Sequence, residues 1–248
     1  MTIENNDDLQ GLLAVGQIVG QTLQYMRDQL QPGMTTQELD DLALAFLARH
    51  QARSAPQVAV GFPGATCISI NDEAAHAVPS SRRILAGDIV KLDVSAELNG
   101  YFADAAITVA VPPLTTAQQR LCVGAEAALH AALTAARAGA TLRHVGQAAE
   151  RTARRHGFQI VRALHGHGVG RWLHEAPRNI PSFDDPSATY RLTEGLVVAI
   201  EPHVSAGSGQ VIDHPNGWTI STRDRSRVAA FEHTVIITNS QPLIVTAA

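Results

Sequence analysis

The feature that most constrains this chain is a set of acidic residues embedded in apolar, strand-like runs. Asp93 lies among Val90, Leu92 and Val94, Glu201 follows Val197-Val198-Ala199-Ile200, and Glu232 sits between Phe231 and Val235-Ile236-Ile237. A carboxylate removed from water is costly unless it is paired, hydrogen-bonded or bound to a metal ion. A fold built from these strands must therefore bring compensating groups to the same places.

One further acid is located by turn chemistry. If Asn99-Gly100 is a two-residue hairpin turn, Asp93 falls opposite Ala106 and Asp104 opposite Ser95. The two aspartates then share one face as diagonal neighbours, with Cα atoms about 7–8 Å apart. Short carboxylates at that spacing reach a common pair of cations and would otherwise repel each other. The segment His165-Gly166-His167-Gly168-Val169-Gly170 strips side-chain bulk from around His167, so backbone or ligand can approach closely. It lacks the Gly-Lys-Ser/Thr ending of a phosphate loop. By itself it fits a site histidine or a satisfied loop histidine equally well.

Asp93, Asp104, His167, Glu201 and Glu232 form an oxygen-rich donor set with one imidazole and no thiolate. Such a set suits Mn, Fe, Co or Zn in a catalytic pair better than a closed structural zinc site. Two divalent ions roughly 3.5–4 Å apart acidify a water and polarise a carbonyl, which makes hydrolysis the expected reaction.

Composition narrows the field. With 45% hydrophobic and 17% charged residues, the 248-residue chain has the material for a buried core. One domain spanning 1–248 is expected. The formal charge of −4 offers no basic surplus for nucleic acid. Cys67 and Cys122 form neither a disulfide framework nor a zinc spacing, and Met1 to Asp8 is polar rather than signal-like. No apolar run approaches the roughly 18 residues of a membrane span. A cytoplasmic protein is expected.

Apolar periodicity predicts helices over Leu9 to Leu30, Thr36 to His50, Thr116 to Ala138 and Leu142 to His156, with Thr35 and Glu38 spaced as a capping box. Strands are expected at Cys67-Ile70, Asp88-Val94, Tyr101-Val111, Gln159-Ala163, Leu196-Val204 and Val228-Thr238. The order helix, glycine turn, Thr cap, helix occurs twice, around Gly33-Met34-Thr35 and around Gly139-Ala140-Thr141. This favours two pseudo-symmetric α+β halves with a site between them.

Several motifs carry a resemblance over nearly the whole chain: Cys67-Ile68-Ser69-Ile70-Asn71, Gly87-Asp88-Ile89-Val90, Gly166-His167-Gly168, His174-Glu175, Ile200-Glu201-Pro202, Trp218-Thr219 and Phe231-Glu232-His233-Thr234. In these the chain resembles the type I methionine aminopeptidases, of the α+β pita-bread fold, in which two pseudo-symmetric halves surround a curved antiparallel sheet. The resemblance implies two divalent metal ions, with Asp93 as a bidentate ligand of one, Asp104 and Glu232 as bridging ligands, and His167 and Glu201 on the other. It implies Glu201 as proton shuttle, and His76 and His174 as the histidines that hold the scissile amide. The substrates implied are N-termini of peptides and nascent proteins, met by a monomer that contacts the ribosome without a basic extension for doing so. Taken singly, such residues are more often structural, His76 as a surface loop residue and His174 as a turn cap.

The first-residue pocket matches less closely. Phe62 replaces a usual tyrosine and Trp218 matches a pocket wall, but Ala59, Leu173 and His203 stand where tyrosine, phenylalanine and methionine are common. Strand alternation predicts that Glu201 and His203 share one face, which would bring His203 to the substrate. Two alternatives follow: an aminopeptidase or dipeptidase with altered first-residue preference, and a non-catalytic peptide- or ribosome-binding protein of the same fold.

Overall fold

The computed structural model describes residues 1–247. Helix α1 (Asn6–Gln29) starts at Asn5, whose side chain accepts the Asp8 N–H, and it buries a stripe from Leu12 to Met26 against the central hairpin. α2 (Thr36–Arg49) opens with the expected capping box between Thr35 and Glu38. A short third helix, α3 (Ala55–Val60), is capped by Ser54 and ends at Gly61 with φ 69°. α4 (Thr116–Ala135) stops three residues before the expected Ala138, and α5 (Leu142–Arg155) ends at His156.

The central element is the hairpin of Ile89–Leu98 and Tyr101–Ala110. Asn99 and Gly100 both take positive φ, 52° and 81°, as a type I′ turn requires. The register that follows sets Asp93 opposite Ala106 and Ser95 opposite Asp104. Strands Cys67–Ile70 and Arg53–Ser54 flank the hairpin on one side. On the other come Glu232–Ile236, Val197–Ile200, His165–Gly168 and Glu175–Pro181, all antiparallel, in a nine-stranded sheet that also takes in Leu243–Ile244.

Two expected strands are broken in the structure. Leu196–Val204 divides at Glu201-Pro202 into Val197–Ile200 of the large sheet and His203–Ser205 of a separate three-stranded sheet. Proline has no N–H for a ladder, so the chain leaves the sheet there. Val228–Thr238 divides at Phe231 in the same way, with Val228–Ala230 pairing His203–Ser205. Gln159–Ala163 shortens to Gln159–Ile160.

The repeat is real at the level of single hydrogen bonds. Thr35 bridges Arg83 while Thr141 bridges Arg191. Gly33 N–H donates to Ile84 O at 2.7 Å, and Gly139 N–H donates to Leu192 O at 2.9 Å. The guanidiniums of Arg83 and Arg191 return to the carbonyls of Gly33 and Gly139. Each half thus ties its glycine turn to a later strand in one way, as the expected pita-bread architecture demands. One sheet face packs Ile68, Leu92, Val94, Ala103 and Ala105 with α1 and α2. In the other half Val198, Ile200 and Val235 meet α4 and α5. The opposite face is left to the acids.

Candidate metal centre

The strand registers place all five candidate donors on that one face. Cys67 opposes Asp93, Asp93 opposes Ala106, and Ala106 opposes Glu232. One step along, Ser95 opposes Asp104, Thr234 opposes Ala199, and Ala199 opposes His167. Opposed residues point the same way and residues two apart keep the face. Asp93 and Glu232 therefore stand in one row, Asp104 and His167 in the next, and Glu201 lies two residues beyond Ala199. Ala106 and Ala199 keep the space between the acids open.

Two devices hold the donors. The Ala106–Glu232 pairing continues at Asp104 through a side chain: the Asp104 N–H donates to Thr234 Oγ1 at 2.9 Å, and that hydroxyl donates to Asp104 O at 2.8 Å. At the other end, Thr108 Oγ1 donates to Ala230 O at 2.6 Å and accepts the Ala230 N–H at 2.9 Å. Glu232 is thus bracketed by threonine splices. The glycines beside His167 serve close approach: a Cβ on Gly166 would lie 2.3 Å from Ala199 O, and one on Gly168 would lie 2.3 Å from Ala176 O.

The donors converge. Asp104, His167 and Glu232 each present one ligand atom within 4.8 Å of the others. His167 Nε2 lies 3.7 Å from Asp104 Oδ2 and 3.6 Å from Glu201 Oε1, too far for hydrogen bonds. Its Nδ1 sits 3.0 Å from Gly168 O, so the proton there leaves the Nε2 lone pair facing the acids. Asp104 Oδ1 and Glu232 Oε1 are buried with no hydrogen-bond partner among the described residues.

Burial drives the protonation states. It raises Asp93 to about 6, against hydrogen bonds from Asp104 and Cys67 that act downward. Burial and then neighbouring acids push Asp104, Glu201 and Glu232 well above the carboxylate range. His167 is pushed down to about 3 by burial, with His174 adding to it. Four carboxylates that cannot ionise together, orphaned oxygens and an outward-facing imidazole lone pair are what a cation-binding donor set looks like without its cations. The residues fit divalent metal.

A cavity of about 280 Å³ opens onto this cluster. His76 and His174 line it with the five donors, and the His174 ring lies 4.3 Å from that of His167. His76 takes φ 54°, a left-handed conformation that a non-glycine residue holds only under constraint. Phe62 and Trp218 pack edge to face at 5.2 Å without lining this cavity. Leu173 belongs to the core instead. His203 is not part of the cavity lining, but its Nδ1 lies 3.0 Å from Glu201 O and 3.8 Å from Glu201 Oε2. Glu201 and His203 lie on either side of the break at Pro202, where the chain changes sheet, yet their side chains remain neighbours. The sequence did not single out the cavity residues Arg178 and Asn179, on a strand that Pro177 and Pro181 disguise.

The profile of metallopeptidase family M24 matches residues 10–239. The chain belongs to family M24. Among relatives in M24, the methionine aminopeptidase 2 of Bacillus subtilis strain 168 is 40% identical over 247 residues, 99% of each chain. Solved structures of methionine aminopeptidases from Rickettsia prowazekii and Thermotoga maritima, each 33% identical, match with TM-scores of 0.94 and 0.95. These matches cover 99% and 100% of this chain and 100% of both of theirs. As an M24 metallopeptidase the chain is a hydrolase dependent on divalent metal. Among the described residues no helix is long and apolar enough to cross a membrane.

Proposed function

We propose that this chain removes N-terminal methionine from peptides and nascent proteins, using two divalent metal ions drawn from Mn, Fe, Co and Zn. The observation that carries this is the convergence of Asp93, Asp104, His167, Glu201 and Glu232 on one face, with buried oxygens left unpartnered. When bound, the ions would supply Lewis-acid polarisation and an acidified water. Glu201, held high by burial, accepts and returns a proton at its carboxylate. His76 and His174, in the lining shared with the acids, hold the scissile amide. Phe62 and Trp218, packed edge to face outside the cavity lining, are the apolar pair we assign to the side chain of the first residue. We assign the activity to one domain over 1–248, acting as a monomer in the cytoplasm on N-termini emerging from the ribosome.

Hydrolysis of Met-Ala-Ser by metal-stripped protein resupplied with each ion tests this, beside peptides that begin with Leu, Glu or Ala. Metal-dependent release of methionine, abolished by Asp104→Ala or His76→Ala, is the expected outcome. Faster release of another first residue would move the assignment to an aminopeptidase of altered preference, the reading motivated by Ala59, Leu173 and His203 standing where tyrosine, phenylalanine and methionine are common. Inactivity with every ion would leave the peptide-binding alternative.

A further inference from the structure

The same cavity contains a cation that the reaction does not use. Arg178 and Asn179 line it from Glu175–Pro181, the edge strand of the large sheet on the side away from the strand of Asp93. The other arginines near this edge are paired: Arg162 and Arg154 with Glu150, Arg143 with Asp184, and Arg171 with Asp8. Arg178 pairs with no carboxylate among the described residues and is exposed to solvent. Its charge acts on His174, which immediately precedes the same strand.

We propose that Arg178 is a specificity-determining residue that binds a substrate carboxylate downstream of the scissile bond, with Asn179 as a second donor. The inference rests on the aminopeptidase reading above. On the aminopeptidase reading a peptide enters this cavity amine first, because its first peptide bond must reach the donors, so its downstream residues extend away from them. His174 lies just before the Glu175–Pro181 strand and Arg178 within it, and both side chains line the one cavity. The arginine fork therefore meets the part of a substrate downstream of the bond held at His174, which in a tripeptide ends at the third residue. Four carboxylates balance two divalent ions in charge, which leaves Arg178 as a full charge without a counterion in the cavity. Its planar fork is matched by a carboxylate, whether the C-terminus of a tripeptide or an acidic third side chain.

Two peptide pairs separate these sources. Met-Ala-Ser against its C-terminal amide reads the terminal carboxylate, and Met-Ala-Asp-amide against Met-Ala-Asn-amide reads the side chain. In metal-loaded enzyme one pair or both should show a kcat/KM ratio of about three- to tenfold in favour of the carboxylate, carried in KM. Arg178→Gln should collapse that ratio to near one, Arg178→Glu should invert it, and Arg178→Lys should restore part of it. A ratio near one in both pairs, or one that survives Arg178→Gln, would overturn the proposal. Calorimetric binding of the same peptides gives the contrast without turnover. Retained carboxylate preference without hydrolysis would defeat only the aminopeptidase reading, whereas hydrolysis without preference would defeat only the role of Arg178.

Discussion

The hydroxyl of Thr234 takes the place of a strand at Asp104, accepting that residue's N–H at 2.9 Å and donating to its carbonyl at 2.8 Å. Both groups are buried, so the pair fixes the backbone from which a metal-site carboxylate projects. Thr234→Val keeps the shape and removes both bonds. Leaving buried backbone groups unsatisfied costs about 1–3 kcal/mol. Loosening a ligand's support weakens metal binding by roughly 10–100-fold. Thr234→Ser should stay close to wild type in both respects. Denaturant midpoints and metal titration calorimetry check this; a Val variant that binds metal normally would show that the splice is dispensable.

The raised carboxylates fix how metal stabilisation depends on pH. A carboxylate whose folded pKa lies above its unfolded value adds stability at low pH, and that contribution is lost as pH rises through the folded value. Asp93, at about 6 against 3.8, does this in the metal-free protein, and Asp104, Glu201 and Glu232 shift the same way. Bound metal holds the same groups as anions and relieves the loss. The gap in melting temperature between metal-saturated and metal-stripped protein should therefore widen from pH 5 to pH 8. Groups away from the cluster cancel in that difference, so a gap constant with pH would mean that these carboxylates do not receive the metal.

The hairpin register was legible because Asn99-Gly100 admits one turn type, and that turn fixes every pairing down to Asp93 and Ala106. The four long helices and the Thr35 cap were legible from period and spacing. The break at Glu201-Pro202 was not, because the apolar run continues across it and only the missing proline N–H marks the change of sheet. α3 is too short to show a period. Thr234 reads as any strand threonine, since the splice depends on a partner 130 residues away. Arg178 reads as a surface arginine until the fold brings His174 and the acids to its cavity.

The glycines around His167 act through backbone contact, which makes them testable apart from chemistry. A Cβ at position 168 would stand 2.3 Å from Ala176 O, a contact with main chain that no rotamer relieves. Gly168→Ala must therefore separate the His165–Gly168 and Glu175–Pro181 strands, which carry His167 and adjoin His174. Overpacking of this kind costs about 1–3 kcal/mol. The variant should lose stability and metal affinity together, read by denaturant unfolding and metal titration. An unchanged denaturant midpoint would mean that the strands give way freely.

Lys91 makes the last prediction, through its position between the halves. It is 3% exposed, and its Nζ donates to Asn71 O at 3.2 Å and Val228 O at 3.0 Å, with no carboxylate paired to it among the described residues. Burial lowers its pKa from 10.5 to about 7. A lysine depressed in the folded state contributes stability above its unfolded pKa and loses it as pH falls through the folded one. Wild-type stability should therefore rise between pH 7 and 9.5 relative to that of Lys91→Met, whose thioether fills similar space without a charge. Near neutral pH and below, the variant should match or exceed wild type, because an apolar replacement of a buried charge removes its desolvation cost. Urea unfolding of metal-saturated protein across this range measures both slopes. Parallel slopes would mean that Lys91 keeps an ordinary pKa, with water reaching the junction of Asn71 and Val228.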